Sequence, residues 1–191
     1  MAEKYQGRYR IPTARAGWWN YKHEAAYFIT ICTQNRNQFL GDIANRKMTL
    51  SAIGQIVDEE WKRSFNVRAD MNLIMDEYVI MPNHFHAIVI IGENKYNVRS
   101  KDAMDSIAAP VSGISRRSNG FGSQSKSLSA IIRGFKGVVT SRAREIEPLF
   151  GWQTRFHDHI IRDDFEHARI AYYIATNVEN WEFDTFYQNI E

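Results

Sequence analysis

The sequence predicts an α+β fold of the ferredoxin-like, split βαβ type: an antiparallel sheet with helices on one face, plus a further helix towards the C-terminus. Three observations predict it. Apolar periodicity switches between about 2 and about 3.6 residues in the order strand, helix, strand, strand, helix, strand, helix, and the first six make the split pattern. Pro82-Asn83 falls between two β-rich runs, where proline cannot donate to a ladder and Pro-Asn favours a turn, so the runs form a tight hairpin. The chain has 191 residues, enough for one domain that buries roughly two-thirds of the surface its unfolded form exposes.

Residues 1–24 are polar and aromatic without a period. Residues 26–33 (AYFITICT) are aromatic and β-branched and read as the first strand. Over 48–65, Leu50, Ile53, Ile56, Val57 and Trp61 recur at three- and four-residue spacings, with Thr49 or Ser51 able to cap the start, which predicts a helix. The hairpin strands are 71–81 and 84–91. Residues 93–126 are rich in Ser, Gly and Arg and read as a flexible basic insertion within a single domain, 1–191. A structureless loop of that length is unusual and is often functional or disordered. The second helix, 127–144, carries Leu128, Ile131, Ile132, Phe135 and Val138/Val139 on one side; Gly134 and Gly137 weaken it by roughly 1 kcal/mol each relative to Ala. A short strand follows over 156–161. The third helix, 164–177, has Phe165, Ala168, Ala171/Tyr172 and Ala175 near one face.

Hydrophobic residues make up 44% and charged residues 24%, the composition of a globular chain rather than a disordered or fibrous one. The single cysteine, Cys32, excludes an intrachain disulfide and a cysteine-based zinc cluster. No apolar run reaches the roughly 18 residues of a membrane-spanning helix. The opening residues carry Lys4, Arg8, Arg10 and Arg15 with no apolar run behind them, so we expect no secretory leader and a cytoplasmic location. A net charge of +2 says little. Its distribution says more. Between Ser106 and Arg144 lie Arg116, Arg117, Lys126, Arg133, Lys136, Arg142 and Arg144 with no acidic residue, whereas the C-terminal quarter holds Asp158, Asp163, Asp164, Glu166, Glu179, Glu182 and Asp184. That polarity suits a polyanion on one face.

The local signal for chemistry is Pro82-Asn83-His84-Phe85-His86. Side chains of a strand alternate faces, so His84 and His86 point the same way, about 6 to 7 Å apart, and can reach one divalent metal. A bare His-x-His is more often a satisfied core or rim pair, and two ligands leave a metal site incomplete. The third helix can supply more. Tyr173 and Asn177, four residues apart, share one face. A tyrosine hydroxyl, with a pKa near 10, needs help as a nucleophile, which a nearby cation gives. An amide oxygen is a reasonable hard ligand for Mg²⁺ or Mn²⁺. The plain alternative is that Tyr173 packs beside Tyr172.

The string 78–86 (YVIMPNHFH) resembles the His-hydrophobic-His motif of the IS200-like single-tyrosine transposase family, a part of the HUH superfamily, and most closely its REP-associated tyrosine transposase branch. Three more strings fall in the family's order. Trp152, Gln153, Phe156, His159, Ile161 and Arg162 match its Trp-Gln-x-x-Phe-x-x-His-x-Ile-Arg register; 28–36 echoes its Thr-hydrophobic-Cys-Thr-x-x-Arg strand; and 54–57 with Glu60-Trp61 matches its Gly-Gln-Ile-Val-x-x-Glu-Trp helix. The likeness spans roughly 25–92 and 126–181.

The resemblance implies cleavage and rejoining of single-stranded DNA at hairpin-forming repeats through a 5′-phosphotyrosine link, with Mg²⁺ or Mn²⁺ as cofactor. It puts the two metal-ligand histidines on His84 and His86, the nucleophile on Tyr173 and the third ligand on Asn177, so that the third helix is catalytic. Tyr172 lies about 100° away around the helix. The family usually follows that Asn with Pro, where this chain has Val178, which allows the helix to run on by a turn. DNA contacts are expected from Arg133, Lys136, Arg142 and Arg144 on the second helix, from Lys126, Arg116 and Arg117 in the insertion, and from Arg8 and Arg10 near the N-terminus, where Tyr5, Tyr9, Trp18 and Trp19 can stack bases. His157 and His159 are candidate substrate contacts. A binding module for hairpin DNA or RNA without cleavage, and a metal-dependent nuclease that uses water, are the alternatives; monomer and homodimer both remain open.

Overall fold

The computed structural model describes residues 19–97 and 125–187, and of the N-terminal segment only the backbone of 4–5 and 8–9. In chain order its strands are β1 (Lys4–Tyr5), β2 (Arg8–Tyr9), β3 (Ala25–Cys32), β4 (Gly41–Ala44), β5 (Lys47–Leu50), β6 (Leu73–Met81), β7 (His84–Ile91) and β8 (His157–Ile161). The helices are α1 (Ala52–Asn66), α2 (Leu128–Ala143) and α3 (Asp164–Thr176). The central sheet has four antiparallel strands ordered β6-β7-β3-β8, so the fold is α+β as the sequence predicts. No helix among the described residues is long and apolar enough to cross a membrane.

The two faces of the sheet have different duties. Tyr27, Ile29 and Ile31 of β3 and Phe85, Ala87, Val89 and Ile91 of β7 pack against α1 and α2. The alternate residues Phe28, Ile88 and Ile90 turn to the other face, where Ile161 and the α3 residues Ile170 and Ile174 cover them. Trp61 is the hub of the first face, fully buried, its ring 4.9 Å from Phe85, 5.2 Å from Phe65 and 5.3 Å from Phe135. It ties α1, β7 and α2 together.

Several boundaries differ from the sequence reading, each for a local reason. The helix expected from 48 begins at 52, because 47–50 pair with 41–44 as a hairpin. Its two turn residues, Asn45 and Arg46, both have positive φ (52° and 59°), as a two-residue turn matched to strand twist requires. Gly41, at φ 145°, has no room for a Cβ against the Thr49 carbonyl. Ser51, rather than Thr49, caps α1, its Oγ accepting from Gly54 N at 3.0 Å. The strand expected from 71 begins at Leu73, after a 3-10 turn (Ala69–Met71) and left-handed Asn72. Of the α3 face named by Phe165, Ala168, Ala171/Tyr172 and Ala175, only Ala171 packs inward; the others look outward, with Phe165 81% exposed, and the buried stripe is Ile170 and Ile174.

Residues 98–124 of the expected insertion lie outside the described residues. Its ends are tied down rather than loose. Tyr96 donates to Asp70 Oδ2 at 2.5 Å, Lys126 Nζ meets the same oxygen at 2.6 Å, and Asn94 Nδ2 donates to Met71 O and Gly92 O.

The aromatic hub yields a stability test. Trp61→Ala should cost about 3–5 kcal/mol by leaving a cavity between three elements, read as a lowered midpoint in chemical denaturation; a loss under about 1 kcal/mol would mean that the neighbouring rings close the gap.

Candidate metal centre and nucleophile

The β3–β7 register sets Thr30 opposite His86 and Cys32 opposite His84. Both imidazoles lie on the α3 face, essentially fully buried, with ring centroids 4.5 Å apart. Each is held through Nδ1. His84 Nδ1 lies 2.8 Å from Asn83 Oδ1, and Asn83 is oriented by its own Nδ2 donating to Phe186 O at 2.8 Å. An amide oxygen only accepts, so Nδ1 carries the proton and Nε2 keeps its lone pair. His86 Nδ1 lies 2.8 Å from Thr30 Oγ1, and the ring also meets the Ile29 backbone. Such support is how proteins aim an imidazole at a metal.

The chain returns to these rings twice more. Asp163 caps α3 by accepting from Glu166 N at 2.8 Å, and the helix then presents Tyr173 over His86, its hydroxyl 3.2 Å from Nε2. Asn177 is the C-cap residue of α3, so the helix stops there although Val178, and no proline, follows. A turn and a 3-10 segment (Trp181–Phe183) then bring Asp184 back, its Oδ2 3.2 Å from Asn177 Nδ2 and 3.4 Å from the Tyr173 hydroxyl. Phe186 closes one side, 4.7 Å from the His84 ring, with Arg36 stacked on it at 4.9 Å.

His84, His86 and Asp184 each offer one ligand atom, all within 4.8 Å of one another. His84 Nε2 and Asn177 Oδ1 are buried and have no hydrogen-bond partner among the described residues. Orphaned lone pairs of this kind are costly unless a cation or donor meets them. The two neutral nitrogens and the Asp184 carboxylate therefore fit a divalent metal, while Asn177 turns its Nδ2 towards Asp184. Sequence reasoning missed Asp184: it stood only as one of many acidic residues in the C-terminal quarter.

The electrostatics follow from burial. Desolvation holds His84 well below the ordinary imidazole range, with His86 and Arg36 adding to the effect. It takes His86 down to about 3, opposed by the Ile29 hydrogen bond and aided by His157. Burial, with the Asp184 carboxylate second, pushes Tyr173 up to about 12 against the Asn177 hydrogen bond. Tyr172 projects outward, 72% exposed against 40% for Tyr173.

The remaining candidates are scattered. His157 and His159 share the α3 face of β8: His157 is exposed beside Thr30, whereas His159 Nε2 is bonded to Glu166 at 2.8 Å. The basic helix α2 lies on the opposite face of the sheet from the histidines. There Arg142 is taken up by Glu60 and Glu59, both at 2.7 Å. Lys126 is likewise engaged with Asp70, while Arg133 and Arg144 are exposed and Lys136 half-buried. Arg10, Arg116 and Arg117 lie outside the described residues, and Arg8 is described in its backbone alone.

This site sits on a known architecture. A REP-associated tyrosine transposase bound to a REP hairpin superposes with a TM-score of 0.54 at 16% identity, covering 89% of this chain and 76% of that one, so the two share a fold. No family model matches the sequence. A Haemophilus influenzae protein described as uncharacterized is 34% identical over 190 residues, 98% of this chain and 99% of its own, and the chain belongs to the family of that protein.

The buried histidines give a signed pH dependence. Unfolded, each takes up a proton near its ordinary value of about 6.5; folded, His86 resists until about 3. The unfolded chain then binds more protons in that window, so stability should be full above about 6.5 and fall as pH drops towards 3, by up to about 1.4 kcal/mol per pH unit for each histidine. Denaturant titrations across that range check it. His86→Gln should flatten the slope; an unchanged slope would place the proton uptake elsewhere.

Proposed function

We propose that the protein is a transposase-like enzyme that nicks and rejoins single-stranded DNA at hairpin-forming sequences, with Tyr173 as nucleophile. The observation that carries this reading is the Tyr173 hydroxyl, 3.2 Å from His86 Nε2, inside a group of side chains suited to a divalent metal. A purely structural tyrosine has no need of that setting. The shared fold with a transposase bound to a DNA hairpin supports the same substrate class.

His84, His86 and Asp184 would hold the cation, Mg²⁺ or Mn²⁺, with the amide oxygen of Asn177 as a further donor. When bound, the cation polarises the scissile phosphate and favours ionisation of the nearby hydroxyl. Tyr173 Oη attacks phosphorus and the bond to the 3′ oxygen breaks, leaving a 5′-phosphotyrosine and a 3′-hydroxyl that takes its proton from solvent. The phenolic proton leaves to solvent, to which the ring is partly open. The link conserves the phosphodiester energy, so attack by a 3′-hydroxyl reverses the step without an external source. Thr30 and Asn83 act through the imidazoles, fixing Nδ1 so that Nε2 faces the reacting centre. His157, exposed on the same face, is placed to meet a substrate phosphate. We place the enzyme in the cytoplasm, where its substrate is found.

The test is a covalent adduct. Incubated with labelled hairpin oligonucleotide and Mn²⁺, the wild-type protein should carry DNA through a denaturing gel, and EDTA should abolish the adduct. Tyr173→Phe removes one hydroxyl and should abolish it too, with DNA affinity nearly unchanged. Tyr172→Phe should retain it. Cleavage without any adduct would mean that water attacks and the protein is a nuclease; adduct formation by Tyr173→Phe would overturn the assignment.

A second measurement isolates the metal. His84→Ala should reduce Mn²⁺ affinity by at least about tenfold in calorimetric titration, the scale seen even for supporting residues around a metal. An unchanged isotherm would remove His84 from the ligand set.

A further inference from the structure

Two strings singled out in the sequence, 33–36 and Trp152-Gln153, take little part in the metal centre, yet the fold joins them. Thr33 pairs with Trp152 across an isolated bridge, Gln34 N donates to Gly151 O at 2.7 Å, and Gln153 N donates to Cys32 O at 2.9 Å. The joint forms one wall of an open cleft of about 360 Å³, and α2 forms the other with Lys136, Gly137 and Arg144. That volume is at the lower end of small-molecule sites, about the size of one nucleotide.

The chemistry of the cleft is one-sided. Two cations line it and no acidic residue does. Lys136 Nζ donates to Gln153 O at 2.5 Å and to Thr154 O at 3.4 Å, and Arg144 Nε donates to Phe150 O at 3.0 Å. Neither cation meets a carboxylate among the described residues, in contrast to Arg142 on the same helix. Trp152 is only 9% exposed, and its indole N–H is buried with no hydrogen-bond partner among the described residues. At Gly137 a Cβ would meet nothing within 4 Å, so the α2 wall is bare at that point. A cleft with two cations that meet no carboxylate, the exposed amides of Gln34 and Gln153 on its other wall and room between them suits a phosphate with a hydrogen-bonding base attached.

Its position matters as much. The cleft and the metal centre occupy the same end of β3 on opposite faces of the sheet. Cys32 is paired with His84, and both the backbone N and the Oγ1 of Thr33 donate to Asn83 O at 2.9 Å. A strand leaving Tyr173 has only to round that end to reach Lys136.

We propose that this cleft binds one nucleotide of the single strand flanking the scissile phosphate, with its phosphodiester on Lys136 and Arg144 and its base on the amides of Gln34 and Gln153. The proposal rests on the strand-transfer reading above and adds a second point of attachment for the substrate.

The test is fluorescence anisotropy in EDTA, where binding is read without cleavage. The probes are a labelled DNA hairpin carrying a single-stranded flank of about eight nucleotides, within the usual span of a single-strand site, and the same hairpin with blunt ends. The wild-type protein should bind the flanked hairpin more tightly. Lys136→Gln with Arg144→Gln should erase that preference, lower the salt slope by about 1.4 units at about 0.7 per single-strand phosphate contact, and leave the blunt hairpin unaffected. Gly137→Glu places a carboxylate in open space at a helical position that glycine weakens. It should erase the preference as well, with thermal stability undiminished, which separates loss of the cleft from misfolding. A preference that survives in both variants would overturn the cleft and leave the strand-transfer reading standing. A wild-type protein that binds neither hairpin would overturn that reading and the cleft with it.

Discussion

The pairing of β3 with β7 is the constraint on which the rest of the molecule depends. Eight residue pairs, from Ala25 opposite Ile91 to Cys32 opposite His84, fix which side of the sheet every β7 side chain takes. A slip of one residue would exchange the two sets. Phe85 and Ala87 would leave the hub around Trp61, and two imidazoles would enter an apolar layer with no acceptor for either. The aromatic core and the histidine pair are thus specified by the same ladder. Burial of β7 on both faces makes that specification strict, because neither set tolerates the other's surroundings.

Burial then supplies the electrostatic character of the site. Removal from water keeps both imidazoles neutral, the form that ligates a metal, and the same removal makes Tyr173 harder to ionise. The only formal charge among His84, His86, Tyr173, Asn177 and Asp184 is then the Asp184 carboxylate. A neighbourhood built this way favours a cation over a proton, and a cation is also what lowers the barrier to forming a phenolate. Structure and chemistry point the same way. The low polarity that resists charge on the protein's own groups strengthens their hold on a charge brought from outside.

The basic run, continuous in sequence, does not make one continuous surface. Arg142 clamps α1 through Glu59 and Glu60, and Lys126 fastens the end of the insertion to Asp70. These charges serve the fold. The remaining described cations, Arg133, Lys136 and Arg144, lie on the side of the sheet away from the tyrosine, and only Lys136 and Arg144 line the cleft at the end of β3. Charge summed along a chain thus indicates the kind of partner better than it indicates the path that partner takes across the surface.

What could be read in advance follows the same division. The common face of His84 and His86 needed only the two-residue period of a strand, and the common face of Tyr173 and Asn177 only the helical one. The β4–β5 hairpin was hidden because its turn uses Asn45-Arg46 in left-handed conformations with no glycine to mark it, and because Leu50 satisfies helical spacing as well as strand alternation. The rotation of α3 was hidden for a different reason. Its sequence carries one stripe through Phe165, Ala168, Tyr172 and Ala175 and another through Ile170 and Ile174, and periodicity cannot choose between them. The choice is made by the Asp163 cap and the bonds from His159 to Glu166 and from His167 to Asp76, which fasten the start of the helix to β8 and β6. Asp184 was illegible on every local criterion. It has no period, no spacing to the histidines and six other acids near it in sequence, and it reaches the site only because α3 ends at Asn177 and the 3-10 turn carries the chain back over the rings. A candidate ligand delivered by the end of one element and the bend of the next leaves its mark on tertiary structure alone.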